Sequence, residues 1–401
     1  MRNTKLNFSR LLQKEYAIDN VFQAGNYNWP GDWEGRALLA FTCHYEIDKS
    51  VSPCMHKFVE QLKEHTNSKL YFGKEFDGIT VDEQQLSGHN WYLRGLLKYA
   101  ENFNSDFAMQ AAKSTVENLY LPVLEWFDHY PLERESYDGG VSGNSSETLS
   151  GWKLSTDVGC AFMCFDGLSK YYQKTADARV KNFLDKGMEV FKQIDLLKYK
   201  FQTHTSLTFM RGILTLYQTT REQKYLDLVK DRFAFYLEHG MTLTYENFNW
   251  FGREDTWTEP CAVTDSFILA LELYKETNED FYKTLARRIW FNGLQFCQRE
   301  NGGAGPNTCV TISQPILSVS PFYYEAPFCC TMRYAEALLY YHIYSSLLSW
   351  NENGQETVDE LGRRFVDDTL LVQLNDKVIP IFSCNTIEKE AAKKLQLKIV
   401  Y

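Results

Sequence analysis

Apolar residues recur at spacings of three and four through most of the chain, the period that lines one face of an α-helix. Leu207, Met210, Leu214 and Tyr217 form one such stripe, and Leu226, Val229, Phe233 and Tyr236 form the next. Between stripes a similar short link keeps returning. It is YYQKTAD from Tyr171, YQTTREQ from Tyr217 and YKETNED from Tyr274, with a looser YAENFNSD from Tyr99. Each link ends a helix rich in aromatics and opens another with charged residues before the next stripe. Hairpins returning at irregular intervals of roughly 45 to 70 residues predict helix pairs stacked side by side. The pattern predicts helices over 33–46, 55–65, 89–103, 105–120, 156–173, 178–193, 204–219, 222–238, 259–276, 279–298 and 329–349. That number approaches the content of an all-α (α/α)6 toroid, in which an inner ring of helices sits inside an outer one.

Two stretches interrupt the period. Residues 130–155 carry the polar run GGVSGNSSETLSG, and residues 299–326 form a second irregular stretch that arrives just before a pair of cysteines. Long loops in compact domains are commonly functional. After Trp350 the character changes, and LLVQL, VIPIF and LQLKIVY predict short strands. The expected organisation is a catalytic toroid over 1–350 and a short β-rich C-terminal segment over 351–401, a stub or part of a β-sandwich.

Composition narrows the choices. The chain has 401 residues, 44% hydrophobic and 15% aromatic, which is ample for a large core. A net charge of −10 without any Lys/Arg-rich stretch argues against a nucleic-acid partner. No apolar run approaches the roughly 18 to 20 residues of a membrane span, so no membrane partner is expected. The opening MRNTKLNFSRLLQKEYAIDN lacks an apolar signal core, and ten scattered cysteines show no disulfide framework. Both suit reduced thiols in a cytoplasm, or a periplasmic or secreted location if a leader has been removed. The pattern carries no information on oligomeric state.

The chemistry gathers at predicted helix starts. Cys329 and Cys330 are adjacent, and adjacent thiols bridge one another only with strain. One helical hairpin upstream lies Glu259-Pro-Cys261, with Thr258 placed to cap the helix. Three thiolates and one carboxylate make a four-ligand set suited to Zn2+. The competing reading is buried cysteines packing as small hydrophobes. His89 and His204 also stand at predicted helix starts. If inner helices run parallel, all of these N-termini share one rim, where spare N–H groups favour thiolate and carboxylate. Glu246, in YENFNW, has aromatic surroundings that raise a carboxyl pKa, as a general acid requires. Glu254 and Asp255 compete for that role, and a solvated loop carboxylate is the plainer reading. Cys43, Cys54, Cys160, Cys164, Cys297, Cys309 and Cys384 lack ligand spacing and are expected to be structural.

Taken in order, Glu246-Asn-Phe248, Asp255-Thr256, Glu259-Pro-Cys261 and Cys329-Cys330 resemble the motif set of glycoside hydrolase family 127, the β-L-arabinofuranosidases. SGHNWYLRGLLKYA, GLSKYYQKTAD and HTSLTFMRGILTLYQTT are similar to that family's hairpin phrases, and the resemblance runs in pieces from about residue 28 to 350. It implies Zn2+ held by Glu259, Cys261, Cys329 and Cys330. It also implies Cys329 as nucleophile, Glu246 as general acid/base, and His89 and His204 as ligands of sugar hydroxyls. The implied reaction is retaining hydrolysis of a carbohydrate substrate, releasing L-arabinofuranose or a related sugar from plant-type glycans. The chain departs from the family at Phe162, where a sugar-binding histidine is usual, and at Thr331-Met-Arg after the cysteine pair. The alternatives are a metal-free α/α-toroid sugar enzyme, an epimerase or unsaturated-uronide hydrolase, and a non-catalytic relative that binds zinc or carbohydrate.

Overall fold

The computed structural model describes residues 2–22, 29–132, 143, 145–351, 353–384 and 388–401. The chain forms two compact units, Leu12–Leu237 and a second that joins Met1–Leu11 to Glu238–Tyr401.

The Leu12–Leu237 unit is built from helical hairpins. Asp32–Asp48 is followed by Pro53–His65, Glu83–Phe103 by Asp106–Thr115, and Cys164–Thr175 by Ala178–Lys192. Thr203–Thr220 is followed by Gln223–His239. The first helix of each pair is buried along most of its length and packs on the first helix of the next pair. Glycines allow these backbones to touch. A Cβ on Gly35 would stand 2.0 Å from the Tyr92 nitrogen, and one on Gly212 would stand 2.5 Å from the Phe165 carbonyl carbon.

The recurring link has a local physical cause. Asn104, Ala176, Arg221 and Asn278 end their helices in the left-handed conformation, each N–H closing on the carbonyl four residues back. The threonine of the link works in both directions. Thr175, Thr220 and Thr277 donate to Tyr171 O, Leu216 O and Leu273 O. The same hydroxyls accept from the N–H of Asp177, Glu222 and Glu279. One side chain thus closes one helix and sets the entry of its partner.

Several expected boundaries move. The helix expected at 89–103 starts at Glu83, because the Asp82 carboxylate accepts from the N–H of Gln84 and Gln85. Polar Glu83-Gln84-Gln85 thus forms the first turn of the helix, with Asp82 as its cap. The helix expected from 156 starts at Cys164, after a strand at Trp152–Ser155 and a 3-10 turn at Cys160–Met163. Regular α-helix ends at Thr115, and the chain continues as a wide turn over Val116–Tyr120 and a 3-10 helix over Leu121–His129.

The second unit contains Arg2–Leu11, Pro260–Thr277, Asp280–Arg288 with a π-helical continuation over Ile289–Leu294, and Cys330–Ile343. Arg2–Leu11, absent from the sequence expectation, packs on Cys330–Ile343. The strands expected near the C-terminus are present. They form a six-stranded sheet in the order Ile316–Leu317, Leu397–Ile399, Thr369–Leu374, Arg364–Val366, Glu356–Val358, with Lys377–Pro380 also on Thr369–Leu374. This sheet does not stand apart from the helices of its unit. Asn292 donates to Asp368 O at 2.9 Å and accepts from the Leu370 N–H at 2.6 Å, while Arg287 pairs with Asp368 at 2.6 Å. Among the described residues no helix is long and apolar enough to cross a membrane.

Candidate active site

Cys261 lies in the first turn of Pro260–Thr277, and Cys330 opens Cys330–Ile343 with Cys329 as its N-cap residue. The two helices pack together, so stretches 68 residues apart meet (261 to 329). The Cys261 and Cys330 sulfurs are 3.6 Å apart and those of Cys329 and Cys330 are 3.4 Å apart. All three sulfurs lie within 4.8 Å of one another. Around a tetrahedral zinc with bonds of about 2.3 Å, sulfurs stand roughly 3.8 Å apart. The cluster therefore fits such an ion, both in donor chemistry and in spacing. Burial and the two neighbouring thiols push the Cys330 thiol well above the usual thiol range. Coordination by a cation reverses that preference, since a ligating thiol loses its proton. Cys329 is the most open of the three at 8% exposure, against 0% for Cys261 and 2% for Cys330.

Below the thiols a buried ion cluster ties the helices together. Asp265 is one turn beyond Cys261, and Arg333 is one turn beyond Cys329. Arg333 pairs with Asp265 and with Glu336, and all three side chains are 0 to 2% exposed. The Thr331 that departs from the family pattern is bonded as well. Its hydroxyl donates to Glu325 at 2.8 Å and accepts from the Ala304 N–H at 3.0 Å.

Glu259 is the N-cap residue of its helix, half-buried, and its carboxylate does not join the group of mutually close ligand atoms. The expected four-ligand set is thus assembled to three. Thr258 does not cap the helix. Its hydroxyl donates instead to Glu246 at 2.9 Å and accepts from the Asn307 N–H at 2.9 Å.

Glu246 is fully buried, not a solvated loop carboxylate. One oxygen accepts from Thr258, from Asn307 Nδ2 at 2.7 Å and from the Cys297 thiol at 3.5 Å; the other accepts from Thr244 at 3.0 Å. Burial raises its pKa, and these four donors partly offset the rise. Its neighbour Asn247 accepts from the Glu259 N–H at 2.7 Å. The Glu246-Asn247 pair therefore clamps the Thr258-Glu259 step from which Cys261 projects. Behind it, buried Arg299 donates to Asn307 Oδ1 at 2.9 Å and to three backbone carbonyls. Sequence reasoning missed Asn247, Asn307 and Arg299 and set Cys297 aside. No spacing rule points to a partner 61 residues away such as Asn307.

His89 and His204 both lie in the Leu12–Leu237 unit. His89, expected at a helix start as a ligand of sugar hydroxyls, is placed differently. It lies well inside its helix, fully buried, with Nδ1 donating to Gln85 O at 2.7 Å and Nε2 accepting from the Phe72 N–H at 3.0 Å. Burial lowers its pKa to about 4, so the neutral ring is the native form. Both nitrogens are committed to the fold. His204 is buried with its ring stacked at 5.8 Å on Trp91. Phe162 is core, in contact with Tyr130 at 5.0 Å, Phe191 at 5.3 Å and Phe127 at 5.5 Å.

No family model and no curated protein matches the sequence. Solved structures do resemble the fold. A GH127 β-arabinofuranosidase superposes with a TM-score of 0.55 at 11% identity, covering 93% of this chain and 63% of its own. A GH127 β-L-arabinofuranosidase from Geobacillus stearothermophilus gives 0.51 at 11% identity, with 93% and 65% covered. An unsaturated glucuronyl hydrolase specific for heparin gives 0.52 at 11% identity, with 86% and 99% covered. The fold is an α/α toroid, as in these structures. The chain spans less than two thirds of the length of the GH127 structures it matches, 63 and 65%. At this identity the likeness carries the fold, while the sulfur cluster is a property of this chain's own residues.

Proposed function

We propose that the chain is a retaining glycoside hydrolase with a metal-bound cysteine nucleophile, acting on an L-arabinofuranoside or a related sugar linkage of plant-type glycans. The observation that carries it is the buried group of Cys261, Cys329 and Cys330, spaced for a tetrahedral ion. A metal-free epimerase or uronide hydrolase of the same fold has no use for three converging thiols.

In this reading zinc would be held by Cys261, Cys329 and Cys330, with Glu259 as the fourth ligand, and would keep the Cys329 thiol ionised. The Cys329 thiolate attacks the anomeric carbon while a carboxyl group protonates the leaving oxygen. Water, deprotonated by the same carboxylate, then displaces the cysteine and releases the sugar with retained configuration. Glu246 is that carboxyl group, and burial shifts its pKa upward, the direction a general acid needs. To act, it must exchange the Thr244 hydroxyl for the leaving oxygen.

Elemental analysis of the purified protein is expected to show one zinc per chain, strongly reduced in Cys261→Ala. Cys329→Ser is expected to abolish hydrolysis of an aryl β-L-arabinofuranoside with the fold intact by circular dichroism. Wild-type turnover in that variant removes the nucleophile. Glu246→Gln separates two roles: an acid loses far more rate on poor leaving groups than on activated aryl ones. Equal losses with a lowered Tm leave Glu246 as the clamp alone.

A further inference from the structure

Two aromatic pairs stand on the segments that run into the thiol helices. Trp257 is half-buried and packs on Phe322, ring centroids 5.5 Å apart, and edge-on against buried Trp250, also 5.5 Å. Tyr323 and Phe328 lie 6.1 Å apart. Phe322 is 67% exposed and Tyr323 is 47% exposed. Trp257 is separated from Glu259 only by Thr258, and Phe328 adjoins Cys329 directly.

These rings are not exposed because their backbone is loose. Trp257 forms a β-bridge with Thr308, and the Thr258 N–H donates to Asn307 O at 2.9 Å. On the other segment the Ser320 N–H donates to Pro306 O at 3.0 Å, and the Phe322 N–H donates to Ser320 Oγ at 3.3 Å. Arg299, itself buried, holds Tyr324 O at 2.7 Å. A braced backbone is therefore presenting large apolar rings to water. Clustered exposed aromatics of this kind mark contact surfaces.

The chemistry of the rings selects the occupant. An aromatic ring has an electron-rich face that attracts the polarised C–H groups of a sugar, while the sugar's hydroxyls stay in water around the ring edge. A protein partner needs a broad apolar surface with a polar rim; a few rings on the two segments that run directly into Glu259 and Cys329 suit a narrow sugar chain entering the thiol site better.

We propose that Trp257, Phe322, Tyr323 and Phe328 form a stacking subsite for glycan residues beyond the bond that is cleaved. The subsite's position relative to that bond rests on the glycosidase reading, whereas the stacking itself needs no turnover. It assigns the chain a preference for oligosaccharides over small aryl glycosides.

The test uses the zinc-loaded full chain titrated with short arabino-oligosaccharides, followed by calorimetry and tryptophan fluorescence. Saturable binding is expected, weakened at least tenfold by Phe322→Ala with bound metal per chain unchanged. Trp257→Phe is expected to remove most of the fluorescence response while weakening binding by a smaller factor. Unchanged affinity in Phe322→Ala, or no saturable binding by the wild type, overturns the subsite. A wild-type dimer made monomeric by Phe322→Ala, with no sugar binding, overturns it in favour of self-association. Binding without hydrolysis of any arabinofuranoside keeps the subsite and removes the hydrolase; hydrolysis of oligosaccharides with kinetics untouched by Phe322→Ala does the reverse.

Discussion

Single residues decide their tasks through burial here, and Glu34 gives the plainest case. It lies in the first turn of Asp32–Asp48, and burial, with Asp32 close by, raises its carboxyl from 4.5 to about 8. A carboxyl raised in the folded state supports folding below its unfolded pKa, and that support is lost as pH rises toward 8. Glu34→Gln keeps the acceptor oxygen and removes the ionisation. Its Tm relative to wild type is expected to rise between about pH 4.5 and 8, with a gain of a few kcal/mol at the alkaline end, since each pH step in that window adds at most roughly 1.4 kcal/mol. Parallel Tm curves across that range would refute it. His89 and Glu246 show the same principle applied to candidate chemistry: each is fully buried and bonded to partners from distant segments, the Phe72 N–H for His89 and the Asn307 amide for Glu246.

At the scale of elements, the thiol cluster depends on the register between Pro260–Thr277 and Cys330–Ile343. Arg333 sits one turn below the sulfurs with Asp265 and Glu336, and removing one member of a buried ion cluster costs about 3–5 kcal/mol. Asp265→Ala is expected to lower the unfolding midpoint in denaturant and to reduce bound metal per chain together, because the pair that loosens is the pair that carries Cys261 and Cys330. Loss of stability with full metal content would show that the cluster holds the fold without aiming the thiols. The hairpin links were legible for a local reason: a left-handed helix end and a two-way threonine hydroxyl use only neighbouring residues. The early start of Glu83–Phe103 escaped notice because its cap, Asp82, precedes a polar run without an apolar stripe.

At the scale of the molecule, the C-terminal strands belong to the unit that contains the sulfur cluster. Their attachment runs through Asn292, whose amide meets Asp368 O and whose carbonyl meets the Leu370 N–H. The first bond is part-buried and the second buried, each between residues far apart in sequence, and leaving such groups unpaired costs about 1–3 kcal/mol each. Asn292→Ala is expected to destabilise the whole unit cooperatively, seen as one shifted transition by both near- and far-UV circular dichroism. A separate early transition of the strands alone would show that they fold independently of the helices.

The helical class, the hairpin rhythm and the placing of Cys261, Cys329 and Cys330 at helix starts were determined by the sequence, because helix period, caps and N-terminal position are local properties; the packing of the two helices brought the thiols together. Tertiary structure alone decided which carboxylates and imidazoles face inward, since those outcomes depend on donors brought from far along the chain: Asn307 to Glu246, Phe72 to His89, Arg333 to Asp265. A side chain's chemistry is set by what surrounds it, and only the packed chain specifies those surroundings.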